Sequence, residues 1–220
     1  MKTYNLYLSN RSNELLSIKK SKITKHKKSI IRETKNGTTY KYRDYTNDES
    51  KIEHNKLIVK TAKQYLSLPA TAIYLDTAAL NTSKAFNNII NEYSKCPNYD
   101  FKEYYNIKKI NPNSKLYVYK KIGKCAKKMI KKNHSPNLIY LEFTSAMMNN
   151  TIKEINQVLL NNNNTTIVFG ITISWRRKNS SVRKIKTMLT KTFHKYSFER
   201  EIIKENKHRG MLFMLYVLTA

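Results

Sequence analysis

Two acids in this chain stand at the carboxyl ends of apolar runs, the place from which α/β proteins most often bind ligands and do chemistry. Ala72-Ile73-Tyr74-Leu75 closes on Asp76, and Asn137-Leu138-Ile139-Tyr140-Leu141 closes on Glu142. Runs this short and this uniformly apolar predict strands buried on both faces of a parallel sheet. A carboxylate at such an end can act as a general base or accept a ligand's donor group. A third run, Thr165 to Ser174, leads into Trp175-Arg176-Arg177-Lys178, an aromatic ring followed by three cations. That combination suits a base stacked on the indole and phosphates on the cations. Other chemistries find no footing. There is no paired cysteine or histidine spacing for a metal, no glycine-rich phosphate loop and no local Ser/His/acid signature.

The charge balance points to a partner. The formal net charge is +27, from 42 Lys and Arg against 15 Asp and Glu. This exceeds what solubility requires and surrounds the molecule with a positive field. The expected partner is a polyanion: nucleic acid, DNA or RNA, or else an acidic protein. Cys96 and Cys125 have no paired spacing, so free thiols in a reducing, intracellular compartment are expected. The opening, Met1 to Asn13, lacks the apolar core of a signal peptide. The longest apolar run, Met211 to Leu218, is too short to span a bilayer.

The elements that must position these residues can be taken in order, as a basic arm and hairpin over 1–49 followed by an α/β domain over 50–220. Lys19, Lys20, Lys22, Lys25, Lys27 and Lys28 crowd into the arm. Lys35-Asn36-Gly37 between β-rich segments predicts a hairpin, with Tyr40 and Tyr42 on one face and Lys41 and Arg43 on the other. Ser50-Lys51-Ile52-Glu53 matches a capping box and opens a helix that Leu68-Pro69 stops. The Asp76 strand is expected to run into a helix over 82–94, then a very short strand near Cys96 to Phe101, then the strand Lys115 to Lys120. The next helix segregates charge most sharply. Ile122, Cys125, Ala126, Met129 and Ile130 line one face, and Lys121, Lys124, Lys127, Lys128, Lys131 and Lys132 the other. Pairs of like charge four residues apart cost a helix about 0.2–0.5 kcal/mol each, a penalty that a polyanion contact would relieve. Helix 151–160 follows the Glu142 strand. A helix after the Trp175 segment buries Val182, Ile185, Met188 and Leu189 with Arg183, Lys184 and Lys186 outside, and strands at 198–204 and 211–218 close the chain.

Alternating helices and strands closed by an antiparallel pair resemble the fold of class I S-adenosylmethionine-dependent methyltransferases: one mostly parallel, Rossmann-like α/β sheet ending in an antiparallel β-hairpin. More narrowly, YLDTAALNTSK from Tyr74, NLIYLEFTSA from Asn137, IVFGITISWRRK from Ile167 and the ending from Phe193 to Leu218 resemble methyltransferase-like proteins of large DNA viruses. The resemblance implies S-adenosylmethionine as cofactor, with Asp76 at its amino group, Asp100 near its ribose and Glu142 as the candidate catalytic base. It implies a cytoplasmic, nuclear or viral-factory setting, or packaging in the virion.

Two departures from that pattern shape the expectation. The loop Asp76-Thr77-Ala78-Ala79-Leu80 holds no glycine, although backbone must approach a cofactor closely there. Glu142-Phe143-Thr144-Ser145 stands where an amino-methylating enzyme of nucleic acids presents Asn or Asp, two prolines and an aromatic. The expectation is therefore a nucleic-acid-binding protein on a catalytically degenerate fold. Binding would use the lysine arm, the Lys121 to Lys132 face, and Arg176, Arg177, Lys178, Arg183, Lys184 and Lys186, with Trp175 and Tyr42 stacking on bases. The alternatives are an active methyltransferase acting on nucleic acid and a structural virion or genome-packaging component. Tyr74-Leu75-Asp76-Thr77 also resembles the opening strand of PIN-type nucleases, but Glu142 is the sole other acid at a comparable strand end.

Overall fold

The structure is a computed structural model and describes residues 29–33, 39–43, 49–77, 79–112, 114–143, 149–174, 182–206 and 211–220. The chain divides into two units, Met1–Asn47 and Asp48–Ala220. In the first, β1 (Ser29–Glu33) and β2 (Thr39–Arg43) pair antiparallel, Ser29 opposite Arg43 and Glu33 opposite Thr39. This is the pairing that a turn about Asn36-Gly37 requires; the turn itself lies outside the described residues.

The second unit runs α1 (Glu49–Tyr65), β3 (Ala72–Tyr74), α2 (Asn81–Phe86), β4 (Cys96–Asn98), α3 (Phe101–Ile110), β5 (Tyr117–Tyr119) and α4 (Ile122–Ile130). It continues with β6 (Leu138–Glu142), α5 (Asn149–Leu159), β7 (Thr166–Ser174), α6 (Val182–Thr192), β8 (Ser197–Asn206) and β9 (Met211–Thr219). Five strands form a sheet in the order β3-β6-β7-β9-β8, the first three parallel and the last two antiparallel to their neighbours. β4 and β5 pair parallel beside it. Lys95, just before β4, joins the two sheets: its N donates to Ala72 O at 2.9 Å and its O accepts from Tyr74 N at 3.2 Å. The expected mostly parallel Rossmann-like sheet with a closing antiparallel pair is what the chain builds.

Helices on both faces explain why the central strands read as unbroken apolar runs. Ile139 and Leu141 of β6 pack with Ile122, Ile155 and Ile185 of α4, α5 and α6. Leu138 and Tyr140 pack with Ile58, Phe86 and Ile107 of α1, α2 and α3. β9 alternates in the same way, Met214 and Tyr216 toward the first set and Phe213 and Leu215 toward the second. Each such side chain removed from water contributes about 1.5–3 kcal/mol, so tertiary burial holds even the shortest elements. Gly170 in β7 makes the space for this layer. A Cβ there would stand 3.1 Å from Tyr140 Cδ2 and 3.2 Å from Ile58 Cδ1.

Three local features differ from the sequence expectation. The helix expected over 82–94 ends at Phe86, because Ala70 N donates to Ile89 O (2.8 Å) and Asn91 N to Ala70 O (2.9 Å), capturing 89–91 as a β-bridge. α3 was not expected at all. It starts where Asp100 accepts from Glu103 N at 2.9 Å, an Asp-x-x-Glu capping signal ahead of a modest apolar stripe. Glu53, expected to reach back within its own helix, pairs instead with Lys204 of β8.

Candidate functional site

At the carboxyl end of β3 the chain turns tightly. Leu80 N donates to Thr77 O at 2.9 Å, and Leu80 takes φ 55° and ψ 30°, the left-handed region that costs a residue with a Cβ about 1–2 kcal/mol. Leu80 precedes α2 but has no side-chain group to cap it. Asp76 does this from the strand end. Its carboxylate, 6% exposed, accepts from Thr77 N at 2.9 Å and from Ser83 N at 2.7 Å, with Thr82 N at 3.5 Å. Two of those amides belong to the first turn of α2, where orphan donors need an acceptor. Ser83 Oγ in turn accepts from the phenols of Tyr74 (3.2 Å) and Tyr117 (3.0 Å). Burial pushes both phenols above their ordinary pKa. Ser83 thus ties β3 to β5 across the mouth of the sheet.

The end of β6 is closed by charge. Lys51 Nζ from the first turn of α1 stands 2.8 Å from Glu142 Oε2, with side chains 7% and 23% exposed. Between β6 and β7 the Tyr140 phenol and the Thr172 hydroxyl are bonded at 3.1 Å. Asp100, at the end of β4, caps α3, and its own N donates to Asn98 Oδ1 at 2.8 Å. Among the described residues no cluster of three or more His, Cys, Asp or Glu could hold a metal. No helix among them is long and apolar enough to cross a membrane. Cys96 and Cys125 are free and buried; burial pushes the Cys125 thiol up to about 11 and raises Cys96 as well.

The outer surfaces are cationic. α4 buries Ile122, Cys125, Ala126 and Met129 while Lys121, Lys124, Lys127, Lys128, Lys131 and Lys132 on and beside it stand exposed. Arg183 and Lys184 are exposed on α6, whereas Lys186 is held by Glu201 of β8 in an ion pair. Lys19, Lys20, Lys22, Lys25, Lys27 and Lys28 lie outside the described residues, as do Trp175, Arg176, Arg177 and Lys178. Of Tyr42 only its place in β2, opposite Ile30, is described.

No protein-family profile matches this sequence, and no curated protein matches it. Solved structures do. Methanococcus jannaschii fibrillarin, a pre-rRNA processing protein, matches with TM-score 0.55 and 12% identity over 93% of this chain and 87% of that one. The fold is that of the class I S-adenosylmethionine-dependent methyltransferases. N-methyltransferase NodS from Bradyrhizobium japonicum WM9 matches with TM-score 0.55 and 10% identity over 79% of this chain and 99% of that one. SMU.776, assigned as a methyltransferase and complexed with SAH, matches with TM-score 0.52 and 13% identity over 92% of this chain, which spans 58% of SMU.776.

In a methyltransferase fold S-adenosylmethionine would present its amino group to Asp76 and its ribose to Asp100. Among the described residues each of these acids is already engaged within the chain. Both Asp76 oxygens accept backbone amides, Asp100 caps α3, and Lys51 stands against Glu142. The loop carries the half-buried Leu80 side chain, packed on the core, where a bare backbone would admit the cofactor.

Sequence reasoning missed Lys51, which it read only as part of the Ser50–Glu53 capping-box match. It also missed a groove of about 580 Å³ between α1 and α2, lined by Lys56, Lys60, Lys63 and Lys84 together with Ile52 and Val59. Their spacing at i, i+4 and i+7 along α1 was a readable signal. Finally, it passed over the rings of Tyr99, Phe101, Tyr105 and Tyr119, all exposed around the ends of β4 and β5.

Proposed function

We propose that the protein binds nucleic acid through its lysine and arginine faces, on a methyltransferase-type fold whose cofactor cleft has closed. The observation that carries this is α4: one face is buried in the core and the other holds exposed lysines with no acid from 121 to 132. Lys124 with Lys128 and Lys127 with Lys131 repel one another until an anion lies across them. The α1–α2 groove, on the opposite face of the sheet, adds a second set of lysines, and Arg183 and Lys184 are further exposed cations on α6. Binding of this kind follows the phosphates and tolerates sequence. Six neutralised phosphates would cost about a thousandfold in affinity between roughly 50 and 200 mM salt. Changing Lys124, Lys128 and Lys131 together to Ala is expected to lower affinity and reduce the salt slope by about three, without lowering the melting temperature. An affinity indifferent to salt overturns the reading.

One observation favours an active enzyme instead. Leu80 keeps the left-handed turn that a glycine-bearing cofactor loop would make. Titration calorimetry with S-adenosylmethionine on protein freed of nucleic acid decides between them: no heat at high ligand concentration sustains a closed cleft, whereas binding lost in Asp76→Ala restores the enzyme. An intracellular setting rests on the two free cysteines and the resemblance, and a large-DNA-virus source and a packaging role on the resemblance and the charge.

A further inference from the structure

Four exposed rings collect where β4 and β5 end. Tyr99 is 64% exposed, Tyr105 53%, Tyr119 50% and Phe101 43%. They touch one another: Tyr99 and Tyr119 lie parallel within 1° at a centroid distance of 6.5 Å, Phe101 meets Tyr119 edge-on at 5.6 Å, and Phe101 and Tyr105 stack at 6.4 Å. Tyr104 supports Tyr119 from beneath at 5.5 Å. Large rings left to solvent in one place mark an interaction site. Their surroundings specify the partner. Lys121 Nζ sits 4.9 Å from the centre of the Tyr99 ring, and Lys121 begins the exposed lysine face of α4. Residues 99 to 132 contain eleven lysines and two acids, Asp100 and Glu103, and Asp100 is engaged as the α3 cap. Rings for base faces therefore adjoin ammonium groups for phosphates, which is the equipment of a single-strand binder.

We infer that Tyr99, Phe101, Tyr105 and Tyr119 form a base-stacking platform for single-stranded nucleic acid, whose backbone continues along the lysines of α4. This rests on the proposed nucleic-acid binding and names its substrate: unpaired strands, whose bases are free to stack. A duplex presents only phosphates and engages the lysines alone.

The test compares three probes of about twelve nucleotides at one salt concentration: a thymidine strand, an abasic strand of the same length and a duplex. Wild-type protein is expected to bind the thymidine strand about tenfold or more tighter than the abasic strand, since each stacked base adds substantially to affinity. Tyr99→Leu with Tyr119→Leu keeps the apolar cover of the edge but removes the ring faces. It should bring thymidine affinity down to the abasic level and leave abasic and duplex binding unchanged, while Tyr99→Phe with Tyr119→Phe retains wild-type affinity. Equal affinity of wild type for thymidine and abasic strands overturns the platform and leaves phosphate binding standing. So does a Leu variant as tight as wild type. Failure to bind any of the three probes overturns the nucleic-acid reading itself.

Discussion

At the end of β3, Asp76, Ser83, Tyr74 and Tyr117 direct their hydrogen bonds into the chain, while at the ends of the neighbouring β4 and β5 Tyr99 and Tyr119 offer their rings to solvent. Both regions lie at the carboxyl ends of neighbouring parallel strands, where this architecture binds ligands, yet their chemistry is disposed in opposite ways. A buried polar group without a partner costs about 1–3 kcal/mol. A strand end that does not hold a ligand is therefore stable only if its own amides and hydroxyls close on it. Exposed rings carry no such correction, and nothing in the described chain relieves their contact with water. On the proposed reading the inward region is structural, and the outward one, which Lys121 joins to the α4 lysines, is where a partner would add most.

The sharpest way to break this contrast is to open the inward region at its charge. Lys51→Met leaves the Glu142 carboxylate half-sheltered and unpaired, and is expected to cost about 3 kcal/mol, the lower end for a buried pair because Glu142 retains some exposure. In a chain of this size that lowers the melting temperature by roughly 6–12 °C. Lys51→Met with Glu142→Leu should recover most of the loss, since no charge is then stranded. Nucleic-acid affinity should stay within about twofold throughout, the pair being remote in role from the lysine face. Thermal melts and a binding titration on the same samples measure both. Unchanged stability with altered nucleic-acid affinity would make the cleft a binding site after all.

A smaller effect connects the two regions. Gly123 seats α4 on α5: its N donates to Glu154 Oε2 at 2.7 Å, and a Cβ there would fall 2.1 Å from Gln157 Oε1 and 2.7 Å from Gln157 Cβ. The amide end can swing aside, but the Cβ is fixed to α5. Gly123→Ala should cost about 1–3 kcal/mol by forcing the helices apart. Because α4 carries the exposed lysines, affinity should fall along with the melting temperature. Full affinity in a destabilised Gly123→Ala protein would show that the lysine face does not depend on how α4 is seated.

The sheet was legible in the sequence because its central strands are covered on both sides. LIYL and MLFMLYVLT are apolar at every position or nearly so, TIVFGITIS is β-branched or aromatic at all but Gly170 and Ser174, and such runs admit few other structures. α3 was not, since its apolar stripe is slight and only Ile107 is buried. Its start lay in the Asp100 cap rather than in hydrophobic period. The strand-end acids were visible as acids, but their partners were not. Ser83 N and Thr77 N are backbone groups without sequence identity, and Lys51 lies 91 residues before Glu142. The aromatic edge fell between these cases. Its rings are plain in the sequence, but strand alternation alone cannot separate the buried Tyr117 from the exposed Tyr119 until the outer helix is in place.

The smallest predicted effect compares two ion pairs on one helix. Two residues after Lys51, Glu53 pairs with Lys204 of β8 at the surface. The hydrogen bond from Lys204, and then its charge, hold the Glu53 carboxyl below its ordinary value of 4.5. A carboxyl whose pKa is lower folded than unfolded adds stability above its unfolded value, and that stability is lost as pH falls through the folded one. Glu53→Gln should therefore lower the melting temperature slightly near neutral pH, and the difference from wild type should close as the pH drops below about 4. Added salt should shrink it in the same way, because the pair is exposed. Lys51→Met should show a loss that salt leaves nearly intact. If both variants respond to salt alike, the end of β6 is as open to water as the outer face of α1, and the contrast between a closed cleft and an exposed binding edge does not hold.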